Sequence, residues 1–370
     1  MIGFIIIALI TQGLLFFVHF VFYRFGVDTF HLADKYKYIL GTSMVILPLS
    51  FTSSMILVQK FGNKFTENFY YISSIWLGTV LWIFIAIVLS TISRYVILND
   101  LYYSIFAGVL VVSAFLVSFY GVSHARNIQV VQKDIYINNL PESWEGKKAV
   151  FMSDLHYGNI HDVKKAQRDL SVVQALDPDI LLIAGDFFDG PNKNLKQFSD
   201  VYRDYNPTKG KYFISGNHEE YAGLAQSFEA ISESGFTILD NKNINIDGVQ
   251  LLGVPYTTNA KSDIDINAIK SILTNTDYKK DVPSILLKHI PIDLDVVRDM
   301  GVSFAFFGHT HHGQFWPLSL VVNRIYGTHA YGFTQEDSTI FYTSSGVGSW
   351  GPPQRIGTDS ELLLVTFHKK

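Results

Sequence analysis

The decapeptide Ile180-Leu181-Leu182-Ile183-Ala184-Gly185-Asp186-Phe187-Phe188-Asp189 sets five apolar residues before a glycine and two carboxylates. A short apolar run that stops at a turn residue predicts a buried strand. The same design recurs around it. Residues 149–153 run into Asp154-Leu155-His156, and 212–215 into Gly216-Asn217-His218-Glu219. Residues 284–287 run into Lys288-His289, and 304–307 into Gly308-His309-Thr310-His311. Amphipathic helical segments such as 163–176 and 225–234 lie between the runs, and Gly and Pro punctuate the joins. Strands that alternate with helices predict an α/β domain.

Every run ends in oxygen or imidazole donors, and the 370-residue chain has no cysteine. Disulfides, thiolate zinc sites and a cysteine nucleophile are thereby excluded. Mixed carboxylate, amide and imidazole donors suit hard or borderline dications, and five such endings in order describe a two-metal hydrolytic centre. Ligand sites in open α/β sheets form beyond the carboxyl ends of the strands, so Asp154, Asp186, Asn217, His289 and His309 are expected to converge. Asp154 and His156 stand two apart, as do His309 and His311, so each pair can face one ion. Asp186 is the natural bridge. His218 follows Asn217 directly and is expected to face the substrate, where it can give a proton or hydrogen bond to a leaving oxygen. Taken singly, each residue is more often a strand-end group that satisfies a turn. Their number and order carry the argument.

The composition adds a second part. The chain is 48% hydrophobic with a mean hydropathy of +0.20, which points to the membrane. Four apolar stretches, 1–23, 38–58, 70–92 and 101–120, are each long enough to cross about 30 Å of hydrocarbon as a helix. Tyr and Phe sit at their ends, as in an interfacial belt. A soluble bundle would keep charged faces, which these lack. The first stretch has neither a basic start nor a small-x-small site, so an uncleaved helix is expected. His19, near the end of that span, is expected to be solvated at the interface.

The predicted division is a four-helix transmembrane region over 1–125 and an α/β domain over 126–370. Residues 1–125 hold six Lys/Arg and four Asp/Glu, which leaves 23 and 29 in the second part and a net charge near −6 there. An acidic domain without a basic stripe argues against a nucleic-acid partner. Arg24, Lys35, Lys37 and Arg94 flank one side of the membrane; Lys60, Lys64, Arg126 and Lys133 flank the other. The first loop carries three of its side's four charges, which leans the α/β domain to the side away from the cytoplasm.

The ordered set D-x-H at 154–156, G-D-x-x-D at 185–189, G-N-H-E at 216–219, His289 and G-H-T-H at 308–311 resembles the calcineurin-like metallophosphoesterase superfamily over roughly 147–365. The resemblance implies a two-sheet α/β/β/α sandwich. It implies one metal on Asp154, His156, Asp186 and His311, a second on Asp186, Asn217, His289 and His309, and His218 as the acid or leaving-group stabiliser. Mn²⁺, Fe and Zn²⁺ all accept this set. Within the superfamily the chain is similar to bacterial membrane-associated phosphoesterases with a multi-span N-terminus. Ser344-Ser345-Gly346-Val347-Gly348-Ser349-Trp350-Gly351-Pro352-Pro353 resembles a C-terminal signature of that branch. His312 departs from the pattern, which has glycine there; it either touches the substrate or, on the simpler reading, is exposed.

These readings lead to an integral membrane protein of the bacterial plasma membrane, a metal-dependent hydrolase of a phosphodiester or pyrophosphate bond. The anchor directs attention to a lipid-linked or cell-envelope substrate. The alternatives are a non-catalytic metal-binding receptor or scaffold, which does not need His218, and a transporter, for which the spans lack paired carboxylates or a Lys/Arg relay. Asp189 and Glu219 are expected to orient His ligands or loops, or else to cap a helix. His161 and His329 are expected to be solvated. Phe315-Trp316-Pro317-Leu318 reads either as core packing or as an apolar lip toward lipid.

Overall fold

A computed structural model of the chain describes residues 2–192, 194–256, 269 and 276–370. Two compact units divide it: Met1–Ser123 with Gly351–Gln354, and His124–Trp350 with Arg355–Lys370.

The first unit contains helices α1 (Ile2–Phe30), α2 (Asp34–Phe61), α3 (Lys64–Ser93) and α4 (Asp100–His124). All four are long and apolar enough to cross a membrane. They extend beyond the apolar stretches because helical hydrogen bonding continues into the polar flanks, giving lengths of about 38–45 Å. The breaks between them are specified locally. Gly62, at φ +57°, closes α2 by donating its N–H to Val58. Asn63 then caps α3 by accepting the N–H of Thr66 at 3.0 Å. His19 departs from expectation. It is fully buried, with Nδ1 2.7 Å from the Leu15 carbonyl and Nε2 accepting from the Trp76 indole at 3.0 Å. Its own helix and α3 supply its polar partners, so the ring does not need water.

The second unit is a two-sheet sandwich. In chain order its elements are β1 (Ile128–Ile137), β2 (Lys148–Met152), α5 (Val163–Leu176), β3 (Ile180–Ala184), α6 (Lys196–Ser199), β4 (Lys211–Ile214), α7 (Asn217–Ala222), α8 (Leu224–Glu233), β5 (Thr237–Ile238), β6 (Lys242–Ile246), β7 (Val249–Val254), β8 (Ser284–Lys288), α9 (Leu294–Asp299), β9 (Phe304–Phe307), α10 (Leu318–Tyr326), β10 (Gly332–Glu336), β11 (Thr339–Thr343) and β12 (Ser360–Lys369). Among the described residues one sheet runs β1-β12-β2-β3-β4-β5 and the other β10-β11-β9-β8-β7-β6. β2, β3 and β4 are mutually parallel, as are β7, β8, β9 and β11.

Central parallel strands are covered on both faces, which explains why β3 and β8 read as unbroken apolar runs and not as alternations. Phe151 of β2 meets Phe304 and Phe306 of β9 at ring distances of 5.1 Å, so aromatic side chains fill the layer between the sheets. A second cluster joins the first sheet to α5 and α8 through Leu170, Val173, Ala230 and Ile231. A third joins the second sheet to α9 through Val297. The layers are therefore α/β/β/α, as the motif order implies.

Candidate metal centre

The parallel strands deliver their C-terminal ends to one edge. There the backbone leaves the strand conformation abruptly. Asp154 (φ +54°) and His156 (+49°) follow β2, Asp186 (+54°) follows β3, and His309 (+69°) and His311 (+47°) follow β9. Left-handed backbone is uncommon outside glycine, although Asp and His tolerate it better than most. Its concentration here marks a geometry that the surrounding packing imposes. Glycine is required alongside. Gly185 has φ +86°, and a Cβ on it would come within 2.7 Å of Gly216 N and His289 Nδ1.

Among the described residues, ligand atoms of Asp154, His156 and His311 lie within 4.8 Å of one another, and so do those of Asp186, His289 and His309. In the first group His156 Nε2 and His311 Nε2 are 3.0 Å apart, and His311 Nε2 is 3.4 Å from Asp154 Oδ1. In the second, His289 Nε2 is 3.2 Å from Asp186 Oδ2. Asn217 joins it, with Oδ1 3.0 Å from His309 Nδ1. Asp186 Oδ2 also lies 3.8 Å from His156 Nε2, so a single oxygen faces both groups.

The donors fit divalent cations. His289 holds Nδ1 at 2.8 Å from the Ala184 carbonyl, which leaves Nε2 buried without a hydrogen-bond partner. This is the usual support for a metal-binding imidazole. Burial would raise the Asp186 carboxyl, but the adjacent His289 ring holds it well below the usual range. The reciprocal effect of Asp186 overcomes burial and pushes His289 up to about 9. A cation bound at His289 Nε2 would compete with protonation of that ring. Burial keeps His311 neutral by lowering its pKa well below the usual value, which suits a ligand.

His218 stands on the rim at the start of α7. Its backbone N–H donates to Asp186 Oδ1 at 2.9 Å, and its ring Nδ1 lies 2.6 Å from the Asp189 carbonyl. The carbonyl accepts a hydrogen bond from Nδ1–H, so Nε2 is the atom left to exchange a proton. Burial, and next His156, lowers the pKa of His218.

A ring of supporting contacts surrounds the donors. Asp189 stands 3.5 Å from His156 Nδ1. Glu219 acts on backbone and not on a histidine: its carboxylate accepts the N–H groups of Asp186, Phe187, Phe188 and Gly216 at 2.7–3.1 Å. Burial, followed by the charge of Asp186, pushes Glu219 up to about 7. Arg355 was not legible as a site residue. It is fully buried and donates to the carbonyl of His311 at 3.0 Å and to its Nδ1 at 3.1 Å. The same guanidinium reaches the carbonyls of Ser345, Gly346 and Gly348. The only hint in the sequence is its place two residues after the Ser344–Pro353 signature.

Three histidines differ from expectation. His312 is half-buried and stacks on Tyr331 with ring centres 4.4 Å apart and planes at 9°. His161 is buried, and its Nε2 meets Ser349 Oγ at 2.9 Å. His329 bridges Glu336 at 2.9 Å and Thr334 at 2.8 Å. In each case a segment distant in sequence or beyond a turn supplies the partner that water was expected to supply.

A sequence profile of calcineurin-like phosphoesterases matches residues 147–313. A transmembrane protein with metallophosphoesterase domain from Danio rerio is 28% identical over 275 residues, 70% of this chain and 61% of its own length. A metallophosphoesterase of Campylobacter jejuni is 25% identical over 343 residues, 89% of either chain. One from Aquifex aeolicus is 30% identical over 247 residues, 66% of this chain and 93% of its own. The chain spans 61% of the Danio relative and 64% of a similar Helicobacter pylori protein. With its donors gathered at the strand ends, and preceded in sequence by four helices long and apolar enough to cross a membrane, the chain belongs to the calcineurin-like metallophosphoesterase family, in the part that carries a membrane anchor.

Proposed function

We propose that the protein is a dinuclear metal-dependent hydrolase of a phosphodiester or pyrophosphate bond in a lipid-linked or cell-envelope molecule. The observation that carries this reading is the placement of Asp186 Oδ2, 3.2 Å from His289 Nε2 and 3.8 Å from His156 Nε2. One carboxylate oxygen between two donor groups is what a bridged pair of cations requires. Asp154, His156, Asp186 and His311 would hold the first cation, and Asp186, Asn217, His289 and His309 the second. Mn²⁺, Fe or Zn²⁺ fits these donors. When bound, such a pair polarises phosphoryl oxygens and lowers the pKa of water.

The chain's own contribution is positional. Glu219 and the α7 N-terminus fix Asp186. Arg355 fixes His311. His218 presents Nε2 to the leaving oxygen, and the Asp189 carbonyl keeps the other ring nitrogen engaged, so the proton moves at one defined atom. A metal-binding receptor would not need that arrangement. The four membrane helices favour a substrate that is itself at the membrane, and the loop charges favour the extracytoplasmic face of a bacterial plasma membrane.

Hydrolysis of bis-p-nitrophenyl phosphate by the detergent-purified chain tests the reaction. Chelator-stripped, Mn²⁺-reloaded and His218→Ala proteins are compared, with metal content measured alongside. Turnover that returns with two Mn²⁺ per chain and falls about 10²–10⁴-fold in the variant is expected. Full turnover in Asp186→Asn would falsify the bridged site.

A further inference from the structure

We propose that α10 is an interfacial helix that lies in the surface of the bilayer beside the metal-binding segment. A helix in a folded domain ordinarily turns its apolar stripe to the core. This one does the opposite. Leu318, Val321 and Ile325 recur at i, i+3 and i+7 and are 42%, 55% and 67% exposed. Leu320 is 61% exposed, and Trp316 just before the helix is 51% exposed. The residue the helix buries is Ser319. Single exposed apolar residues are ordinary, but a contiguous set of this kind marks an interaction surface.

The chemistry of the patch fits a bilayer. Tryptophan favours the headgroup boundary, and aliphatic side chains on one helix face sink below it. Arg324 is exposed in the last turn, where it can meet anionic headgroups. The same chain carries four helices long and apolar enough to cross a membrane. Gly351–Gln354 belong to the helical unit, where Gln354 Nε2 donates to Ser118 Oγ of α4 at 2.6 Å. Their neighbours in sequence are tied to the segment that leads into α10. Trp350 exchanges two hydrogen bonds with Gln314, at 2.8 and 3.0 Å, and the Ile356 carbonyl accepts the N–H of Trp316 at 2.7 Å. Ser118 lies six residues before the end of α4, about 9 Å along the axis.

The inference deepens the proposed function and rests on it in one respect. α10 starts seven residues after His311, so a lipid-borne phosphoester could keep its tails in the bilayer while its headgroup reached the metals.

The chain has no cysteine, so an introduced one is unique. Val321→Cys and Ile325→Cys, each labelled with an environment-sensitive fluorophore, are placed in vesicles of phosphatidylcholine and phosphatidylglycerol. Glu229→Cys on the exposed side of α8 is the aqueous reference. Melting temperatures check that each variant folds. Blue-shifted emission, quenching by nitroxide-labelled lipids and several-fold weaker quenching by iodide than at the reference are expected at both α10 positions. Iodide quenching equal to the reference overturns the proposal. So does protection from iodide without quenching by lipid nitroxides, which would mean that protein, such as a second copy, covers the helix. The label reads depth and not turnover, so its failure is distinguishable from failure of the phosphohydrolase reading.

Discussion

Glu219 sits beneath Asp186 and accepts its backbone N–H at 2.9 Å. The central carboxylate of the site is therefore held by a second, buried carboxylate that contacts no ligand side chain. Glu219→Gln replaces one acceptor oxygen with an amide that faces N–H donors. A loss of about 2 kcal/mol is expected, or about 4–8 °C in melting temperature for a domain of this size. Metal content should fall with it. An unchanged melting temperature together with full metal content would show that the loop holds Asp186 without help.

Arg355 grips His311 through both its carbonyl and its ring. Lysine keeps the charge but cannot fork between those atoms and the loop carbonyls. Arg355→Lys should weaken Mn²⁺ binding by about 10–100-fold, the usual effect of removing a support for a ligand. Calorimetric titration of the stripped protein measures this, and equal affinity would remove Arg355 from the site's support.

Metal loading should also appear as stability. A cation that binds only the folded site contributes about 2.7 kcal/mol at a hundred times its dissociation constant. Melting of stripped protein should rise on Mn²⁺ addition, and the rise should shrink in Asp186→Asn. A rise of equal size in the variant would place the cation elsewhere.

Burial drives the pKa of His161 well below its ordinary 6.5, with Lys165 adding to the effect. The unfolded chain takes up a proton near 6.5 that the folded chain refuses until lower pH. The stability associated with this residue is therefore complete above 6.5 and falls as pH drops below it, by up to about 1.4 kcal/mol per unit. His161→Gln should flatten the decline in melting temperature between pH 7.5 and 5.5. Parallel declines in both proteins would assign the acid sensitivity to other groups.

Much of the fold was legible because its signals are local. The apolar run before Gly185 needs only its own composition to predict a buried strand, and α5 falls on the predicted 163–176. The membrane helices are set by hydropathy alone. The supporting contacts were not legible, since their partners are remote. Arg355 and His311 are 44 residues apart, and His161 and Ser349 are 188 apart. Apart from the signature that precedes Arg355, nothing near either residue in sequence distinguishes it from a solvated side chain.

The sequence by itself determined the element types, the order of the donor residues and the family, because periodicity, turn chemistry and motif spacing are properties of short segments. Only the tertiary structure decided that one oxygen of Asp186 faces both donor groups, that Glu219 serves backbone and that α10 turns its apolar face outward. Those are relations between segments that only the packing of two sheets brings within a few ångströms.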